Sequence, residues 1–299
     1  MAKQVEASVW AECTTAKHIL LIGPSRHPLC AMQLDKLSKI ETIAIIKRES
    51  HQAPKMAGGF ASMAYQGTLG IERTRLVYAL FLVCAGLAIL GSLLAASDES
   101  PWRWLHYLTK PTAALLLFVV VLRNSPASSR TYGMAVAIGL LFAAAGDTFL
   151  MLPGDYFLAG LICFLLTHCA YIFALTRDAK FAAHPGLFGA FALIAFAVVA
   201  GLWTSLPPEM RIPVIIYALA LGAMAAQAIC RLRQFSGTPA QATARFAAYG
   251  GLLFMISDTL LAYGRFRWQI PYNALWVLGT YYAAQYFFAR STQAHDSKR

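Results

Sequence analysis

Eight long runs of apolar residues, separated by short polar breaks, fill the sequence from Leu76 onward. Each run has about the 20 residues that a helix needs to cross a hydrocarbon core. Because lipid offers the backbone no hydrogen bonds, such runs must form helices, and no alternating strand pattern competes with them. The sequence therefore predicts an all-α, polytopic membrane protein with about eight transmembrane helices near 76–97, 102–122, 131–152, 156–176, 186–206, 212–230, 243–264 and 271–290.

Composition favours a membrane-embedded protein over a soluble or nucleic-acid-binding one. The chain is 58% hydrophobic and 13% charged, against about 25% charged residues in a soluble domain. Its net charge of +11 is spread beside the apolar runs, whereas nucleic-acid-binding proteins cluster their basic residues, so nucleic acid is not expected as a partner. The six scattered cysteines lack Cys-x-x-Cys spacing and predict neither a disulfide framework nor a metal site.

The apolar runs divide the chain into three regions. Residues 1–72 mix charge, proline and short apolar pieces, and we expect a polar, disordered tail without a signal peptide. Residues 73–291 form the predicted eight-helix transmembrane domain, and residues 292–299 form a polar C-terminal tail. Internal methionines at Met56 and Met63 leave a downstream start as a hypothesis.

Basic residues at the ends of the runs predict the orientation. Ten flank one side of the predicted bundle, and only four, Arg103, Arg211, Arg265 and Arg267, flank the other. By the positive-inside rule the first side is cytoplasmic, and an even number of helices then leaves both termini in the cytoplasm. The expected protein is an integral, multi-pass protein of a bacterial inner membrane or of an endomembrane.

Two of the runs resemble each other. Residues 146–150 (GDTFL) in the third run match residues 257–261 (SDTLL) in the seventh. Because the seventh run follows the third by an offset of four helices, the two segments run in parallel. This is the pattern of two four-helix halves related by an axis along the membrane normal.

Few polar groups lie inside the runs, and an ionisable one costs roughly 2.5–3.5 kcal/mol at the bilayer centre. Counted at about 1.5 Å per residue from the non-cytoplasmic ends, Asp147, Asp258 and Lys110 lie at roughly 8, 9 and 12 Å, in one layer. His168 and Gln285 lie deeper, at roughly 18 and 21 Å. We expect these residues to line a funnel that narrows inward from the outer face.

Asp147 and Asp258 are the candidate catalytic residues. Burial favours the neutral form of a carboxyl group, and a nearby cation favours the ionised form. Lys110 would therefore keep one aspartate ionised while the other stays protonated, which is the arrangement of an acid and base pair. The alternative is an ion pair or interhelical hydrogen bond that only holds the bundle together.

A second set of polar residues is predicted to bind the substrate: Lys110, His168, Tyr281, Tyr282 and Gln285. The lysine offers an ammonium to a phosphate or carboxylate, and Gln285 shares one helix face with both tyrosines. For His168 and Gln285, an ordinary interhelical hydrogen bond is the alternative. No metal or cofactor is expected, because a catalytic zinc needs three ligands and the histidines are too scattered to supply them.

These residues stand in motifs that resemble the YhhN-like lysoplasmalogenase family of eight-helix membrane proteins, over roughly residues 75–290. The matching pieces, in order, are Thr109-Lys110-Pro111; Gly146-Asp147 with Leu150-Met151; Gly160 through His168 to Tyr171-Ile172; residues 250–258 (GGLLFMISD) with Leu261-Ala262; and Tyr281-Tyr282 with Ala284-Gln285.

That resemblance implies an enzyme that cleaves the vinyl ether bond of lysoplasmalogen. It implies a fatty aldehyde and glycerophosphocholine or glycerophosphoethanolamine as products, and a lysophospholipid or ether lipid as the partner. It also implies that Asp147 and Asp258 occupy the positions of the family's essential aspartates. The residues alone lead only to an intramembrane acid–base site, and they leave open a proton-coupled transporter or a non-catalytic lipid-binding protein.

Overall fold

The computed structural model describes residues 72–95 and 100–293, which belong to one compact unit, residues 70–299. The described residues form eight long helices and no strand. Numbered in chain order, these are α1 Glu72–Leu94, α2 Trp102–Asn124, α3 Arg130–Met151, α4 Phe157–Leu175, α5 Pro185–Leu202, α6 Pro208–Gln234, α7 Gln241–Phe266 and α8 Asn273–Ser291.

The predicted all-α fold with eight helices is confirmed. Of the described helices, α1 to α7 are long and apolar enough to cross a membrane. Helix α8 has the length but is less apolar, because tyrosines and Gln285 replace aliphatic residues along it. The predicted ends differ by up to four residues: α1 already starts at Glu72, α5 stops at Leu202, and α6 starts at Pro208, whose ring suits a first helical turn.

Most of the two predicted tails lies outside the described residues. The predicted tail 1–72 is described only at Glu72, which begins α1, and the predicted tail 292–299 only at Thr292 and Gln293. The side-chain amide of Gln293 donates a hydrogen bond to the hydroxyl of Tyr78 at 2.6 Å. The start of α1 and the end of α8 therefore lie on the same side of the bundle, as an even number of helices requires.

Six of the helices form a closed ring. Following contacts around it, α2 packs on α3, α3 on α4, α4 on α6, α6 on α7, α7 on α8, and α8 returns to α2. Helix α5 lies outside this ring against α6, and α1 packs on α8 through the ring pairs Tyr78–Tyr286 and Phe81–Tyr282. Exchanging α2–α3–α4 with α6–α7–α8 reproduces the ring, as two related four-helix halves would.

The bundle is apolar on its outside and carries its polar groups within. Leu193, Phe196 and Ile212 are each more than 60% exposed. In contrast, Lys110, Asp147, His168, Asp258 and Gln285 are all buried. A protein in water shows the opposite arrangement, so the described helices form an integral, multi-pass membrane domain.

Close helix packing at two glycines fixes the helices that carry the aspartates. A Cβ added at Gly146 would lie 2.9 Å from the ring of Phe164, so α3 can approach α4 this closely only without a side chain at that position. A Cβ added at Gly251 would lie 3.2 Å from the Cα of Ala225, which has the same effect between α7 and α6. Small residues at helix interfaces are typical of membrane bundles.

Candidate active site

The first aspartate, Asp147, lies near the end of α3 and is held by side chains from α2 and α8. The Nζ atom of Lys110 on α2 is 3.2 Å from Oδ1 of Asp147. The hydroxyl of Tyr281 on α8 donates a hydrogen bond to the other carboxylate oxygen at 2.6 Å. All three residues are buried, so Asp147 has a cation and a phenol as its polar partners in place of water.

The second aspartate, Asp258, is held in the same way on α7. The hydroxyl of Tyr217 on α6 donates a hydrogen bond to Oδ2 of Asp258 at 2.5 Å. The Nε2 atom of His168 on α4 lies 3.4 Å from the same oxygen and 3.0 Å from the Tyr217 hydroxyl. His168 and Tyr217 are buried, and the Nδ1 atom of His168 has no hydrogen-bond partner among the described residues.

The two groups of three, Lys110–Asp147–Tyr281 and Tyr217–Asp258–His168, occupy equivalent places in the two halves. We call them the lysine triad and the histidine triad. Each aspartate receives one partner from the preceding helix and one from the end of a four-helix half. The aromatic ring of Phe254 packs against both, with its centroid 4.8 Å from that of His168 and 5.6 Å from that of Tyr281.

A polar cavity of about 280 Å³ leads to the lysine triad. Its lining includes Lys110 and His106 of α2, the turn between α3 and α4, and Arg265 and Asn273. This end of the bundle is the one with few basic residues. Water and polar solutes therefore have a path to the ammonium that contacts Asp147.

An apolar cavity of about 50 Å³ leads to the histidine triad. It lies among α4, α5, α6 and α7, and both Tyr217 and Asp258 line it beside aliphatic and phenylalanine side chains. Three residues line both this cavity and the polar one: Leu150, Phe157 and Leu261. Two spaces of opposite polarity thus meet at one thin partition, in place of the single funnel expected from residue depths.

Some of the predicted substrate-binding residues line a cavity, and others line neither of the two cavities at the aspartates. Lys110 lines the polar cavity. His168, Tyr281 and Gln285 line neither cavity and contact other polar side chains, including the 2.5 Å hydrogen bond from the Tyr171 hydroxyl to Gln285 Oε1. Their contact with substrate stays a prediction.

Tyr282 differs from the other predicted residues. It lines a third cavity, which lies between α1 and α8, and its hydroxyl has no hydrogen-bond partner among the described residues. The Phe81 ring packs beside it. Its contact with substrate also stays a prediction.

Sequence reasoning missed Tyr217, which is the residue in closest contact with Asp258. It was overlooked because a single tyrosine in an aliphatic run is ordinary on its own. Aligning the two halves at the aspartates offers the missing signal, because Tyr217 stands on the helix equivalent to the one that carries Lys110. No group of three His, Cys, Asp or Glu side chains among the described residues is arranged to hold a metal ion.

The match to a known protein family covers the six residues of the two triads. Residues 105–292 match the model of the YhhN family. Lysoplasmalogenase TMEM86A of Homo sapiens is 32% identical over 202 residues, which are 65% of this chain and 80% of that protein. Lysoplasmalogenase TMEM86B of Sus scrofa is 32% identical over 199 residues, which are 67% of this chain and 80% of that protein. No solved structure matches the chain.

Proposed function

The chain belongs to the YhhN family, and from that premise we propose that it hydrolyses the vinyl ether bond of a lysoplasmalogen by aspartate acid–base catalysis. The products are a fatty aldehyde and glycerophosphocholine or glycerophosphoethanolamine. Relatives that cover most of the chain are lysoplasmalogenases. The observation that carries the proposal is the pair of buried aspartates, one beside a lysine and one facing an apolar cavity.

The chemistry of a vinyl ether explains why an acid is needed. The bond resists nucleophiles, but its outer alkene carbon accepts a proton, and the ether oxygen then stabilises the resulting oxocarbenium ion. We assign the proton donor to Asp258, because it lines the apolar cavity and no lysine or arginine contacts it among the described residues. After the proton leaves, Tyr217 donates a hydrogen bond to the new carboxylate.

Asp147 supplies the base. It contacts the Lys110 ammonium, which lines the polar cavity, and it accepts a hydrogen bond from the Tyr281 hydroxyl. Water that enters through the polar cavity attacks the oxocarbenium carbon, and Asp147 takes the proton that the water loses. A positioned acid or base of this kind typically contributes about 10²- to 10⁴-fold to a rate.

The hemiacetal then collapses and both carboxyl groups return to their starting forms. Its hydroxyl proton passes to the Asp258 carboxylate as the aldehyde C=O bond forms and the bond to the glycerol oxygen breaks. That glycerol oxygen receives the proton held by Asp147. The sum is one water added and one vinyl ether cleaved, with no change in the protein.

A proton-coupled transporter is the main rival, since buried carboxyl groups also mark transport paths. Against it, α3 and α7, which carry the aspartates, run unbroken over 22 and 26 residues, whereas transport sites are typically built from interrupted helices. A non-catalytic lipid-binding protein is a second rival, in which the two carboxyl groups would only hold the helices together.

Release of free aldehyde from lysoplasmalogen by the purified protein in detergent tests the proposal. In oxygen-18 water, the glycerophospho product should stay unlabelled, because its hydroxyl oxygen comes from the substrate. Glu209→Gln is a matched control, because this exposed carboxyl at the start of α6 takes no part in either triad. Absence of aldehyde would remove the proposal, and label in the glycerol hydroxyl would mean attack at the glycerol carbon.

We also propose that both termini face the cytoplasm, so that the polar cavity opens on the opposite side. The turn between α3 and α4 carries the exposed residue Pro153 close to that cavity. A single cysteine at position 153, in a chain otherwise free of cysteine, should react with a reagent that cannot cross the membrane. Labelling only after permeabilisation would reverse the orientation.

A further inference from the structure

We infer that the two cavities divide the substrate between them: the polar cavity binds a zwitterionic phospho-headgroup, and the apolar cavity binds the alkenyl chain. The vinyl ether then lies at the partition of Leu150, Phe157 and Leu261, between the two aspartates. This inference rests on the proposed function and adds to it where the headgroup and the alkenyl chain lie.

The mouth of the polar cavity carries one cation and one anion. The Arg265 guanidinium lies 3.0 Å from the Asp155 carboxylate, and the two side chains are 48% and 72% exposed. The backbone N–H of Phe157 also donates to Asp155 at 3.3 Å, which helps to hold the carboxylate in place. A headgroup with both phosphate and ammonium matches this pair, whereas a purely anionic group would meet Asp155 as a like charge.

Asn273 adds a feature that suits a lysolipid. This residue lines the polar cavity, and its buried side-chain Oδ1 has no hydrogen-bond partner among the described residues. A free glycerol hydroxyl can donate a hydrogen bond to that oxygen. An acyl ester at the same position cannot donate, and it would leave the amide oxygen without a partner.

The apolar cavity continues toward the lipid. A second apolar cavity, of about 610 Å³, lies between α5 and α6 and shares Val199 and Ala218 with the cavity at Asp258. Its lining includes Phe196 and Leu219, which are 69% and 50% exposed on the outside of the bundle. The cavity at Asp258 is too small for a whole chain, so the alkenyl chain extends past Ala218 into this outer space.

The two spaces also match the two products. A fatty aldehyde is apolar, and it leaves between α5 and α6 into the bilayer. A glycerophospho product is soluble in water, and it leaves through the polar cavity. The helix arrangement permits this, since α5 lies outside the ring and packs mainly against α6.

Two variants test whether the substrate is divided between the two cavities, and each variant is assayed with two substrates. Ala218→Trp fills the junction of the apolar cavities, and it should lower kcat/KM for a long-chain alkenyl lysophosphoethanolamine by about tenfold more than for a short-chain one. Arg265→Gln should lower kcat/KM for the same long-chain lipid by about tenfold more than for 1-alkenylglycerol, which lacks the phosphate. The controls are Ile216→Trp on the lipid-facing side of α6 and Arg267→Gln at the end of α7.

Equal losses with both members of each substrate pair would overturn the inference. If Ala218→Trp does not fold, Ala218→Leu serves the same comparison with a smaller side chain. If the wild-type protein hydrolyses none of the lipids, the proposed function fails, and the same comparisons are made by binding of saturated ether analogues. If Ala218→Trp then weakens binding mainly of the long-chain analogue and Arg265→Gln mainly of the analogue with a phosphate, the two subsites are supported without the reaction. Equal weakening within each pair would rule out the subsites as well.

Discussion

The lysine triad and the histidine triad share a scaffold and differ in charge. In both, a buried aspartate contacts one residue from the preceding helix and one from the helix at the end of a four-helix half. Lys110 brings a full positive charge to Asp147, whereas the corresponding Tyr217 brings only a phenol to Asp258. The difference teaches how one repeated structural arrangement can place two buried carboxyl groups beside partners of different charge.

The spaces that adjoin the two triads follow the same division. The lysine triad adjoins the polar cavity, where water can reach it, and the histidine triad adjoins the apolar cavity. A base that activates water needs access to water, and an acid that protonates an alkenyl chain needs access to an apolar space. The two cavities therefore support the proposed roles of Asp147 as the base and Asp258 as the acid.

The largest expected effect on kcat comes from removing either carboxyl group. Asp147→Asn and Asp258→Asn keep the side-chain shape but cannot exchange a proton, so each should lower kcat by about 10²- to 10⁴-fold. Because acid and base act on one reaction as a unit, the double variant should be little worse than either single one. Turnover of lysoplasmalogen measures this, with Glu209→Gln as the control. Losses that multiply would mean that the aspartates act independently.

The free energy of unfolding should distinguish the lysine triad, which holds an ion pair, from the histidine triad. Lys110→Met leaves Asp147 buried without its cation, and loss of one member of a buried pair typically costs about 3–5 kcal/mol of unfolding free energy. The double variant Lys110→Met/Asp147→Asn should recover much of that stability but none of the activity. Thermal unfolding in detergent supplies the measurement. A double variant as unstable as Lys110→Met would mean that the lysine acts through packing and not through its charge.

Tyr217→Phe and Tyr281→Phe should differ in which property they lower more, kcat or stability. Tyr217→Phe removes a donor that the acid needs only after it has lost its proton, so it should lower kcat by about tenfold and stability by only about 1 kcal/mol. In the proposed mechanism Asp147 starts as the ionised base, so Tyr281→Phe removes a donor to a charged group. This variant should cost about 1.5–3 kcal/mol of stability and have the smaller effect on kcat. The reverse pattern would exchange the roles of the two aspartates.

The sequence predicted the helices and the polar layer, because both depend on local composition. Apolar runs of spanning length specify helices in lipid, and buried charged groups are rare enough to be noticed one by one. The depths placed Lys110 in one layer with both aspartates, and they did not specify that its partner is Asp147. The pairing of Asp258 with Tyr217 and His168 was not predicted either, because it depends on α4 packing against α6, which no helix spacing specifies. For the same reason, the partition between two cavities was not predicted.

The smallest expected effect on kcat concerns the pair formed by Tyr171 and Gln285, which lies outside both triads. Gln285→Met leaves the buried Tyr171 hydroxyl without its acceptor and should cost about 1–3 kcal/mol of stability. Adding Tyr171→Phe removes that unpaired hydroxyl, so the double variant should regain most of the loss. Because Gln285 lines neither cavity, kcat should change less than about threefold in both variants, which is below the effect of one charge-assisted hydrogen bond. A loss of kcat as large as that of the aspartate variants, in protein that still unfolds cooperatively, would instead show that Gln285 contacts the substrate. The polar groups deeper than the two triads would then belong to the reaction site and not to its support.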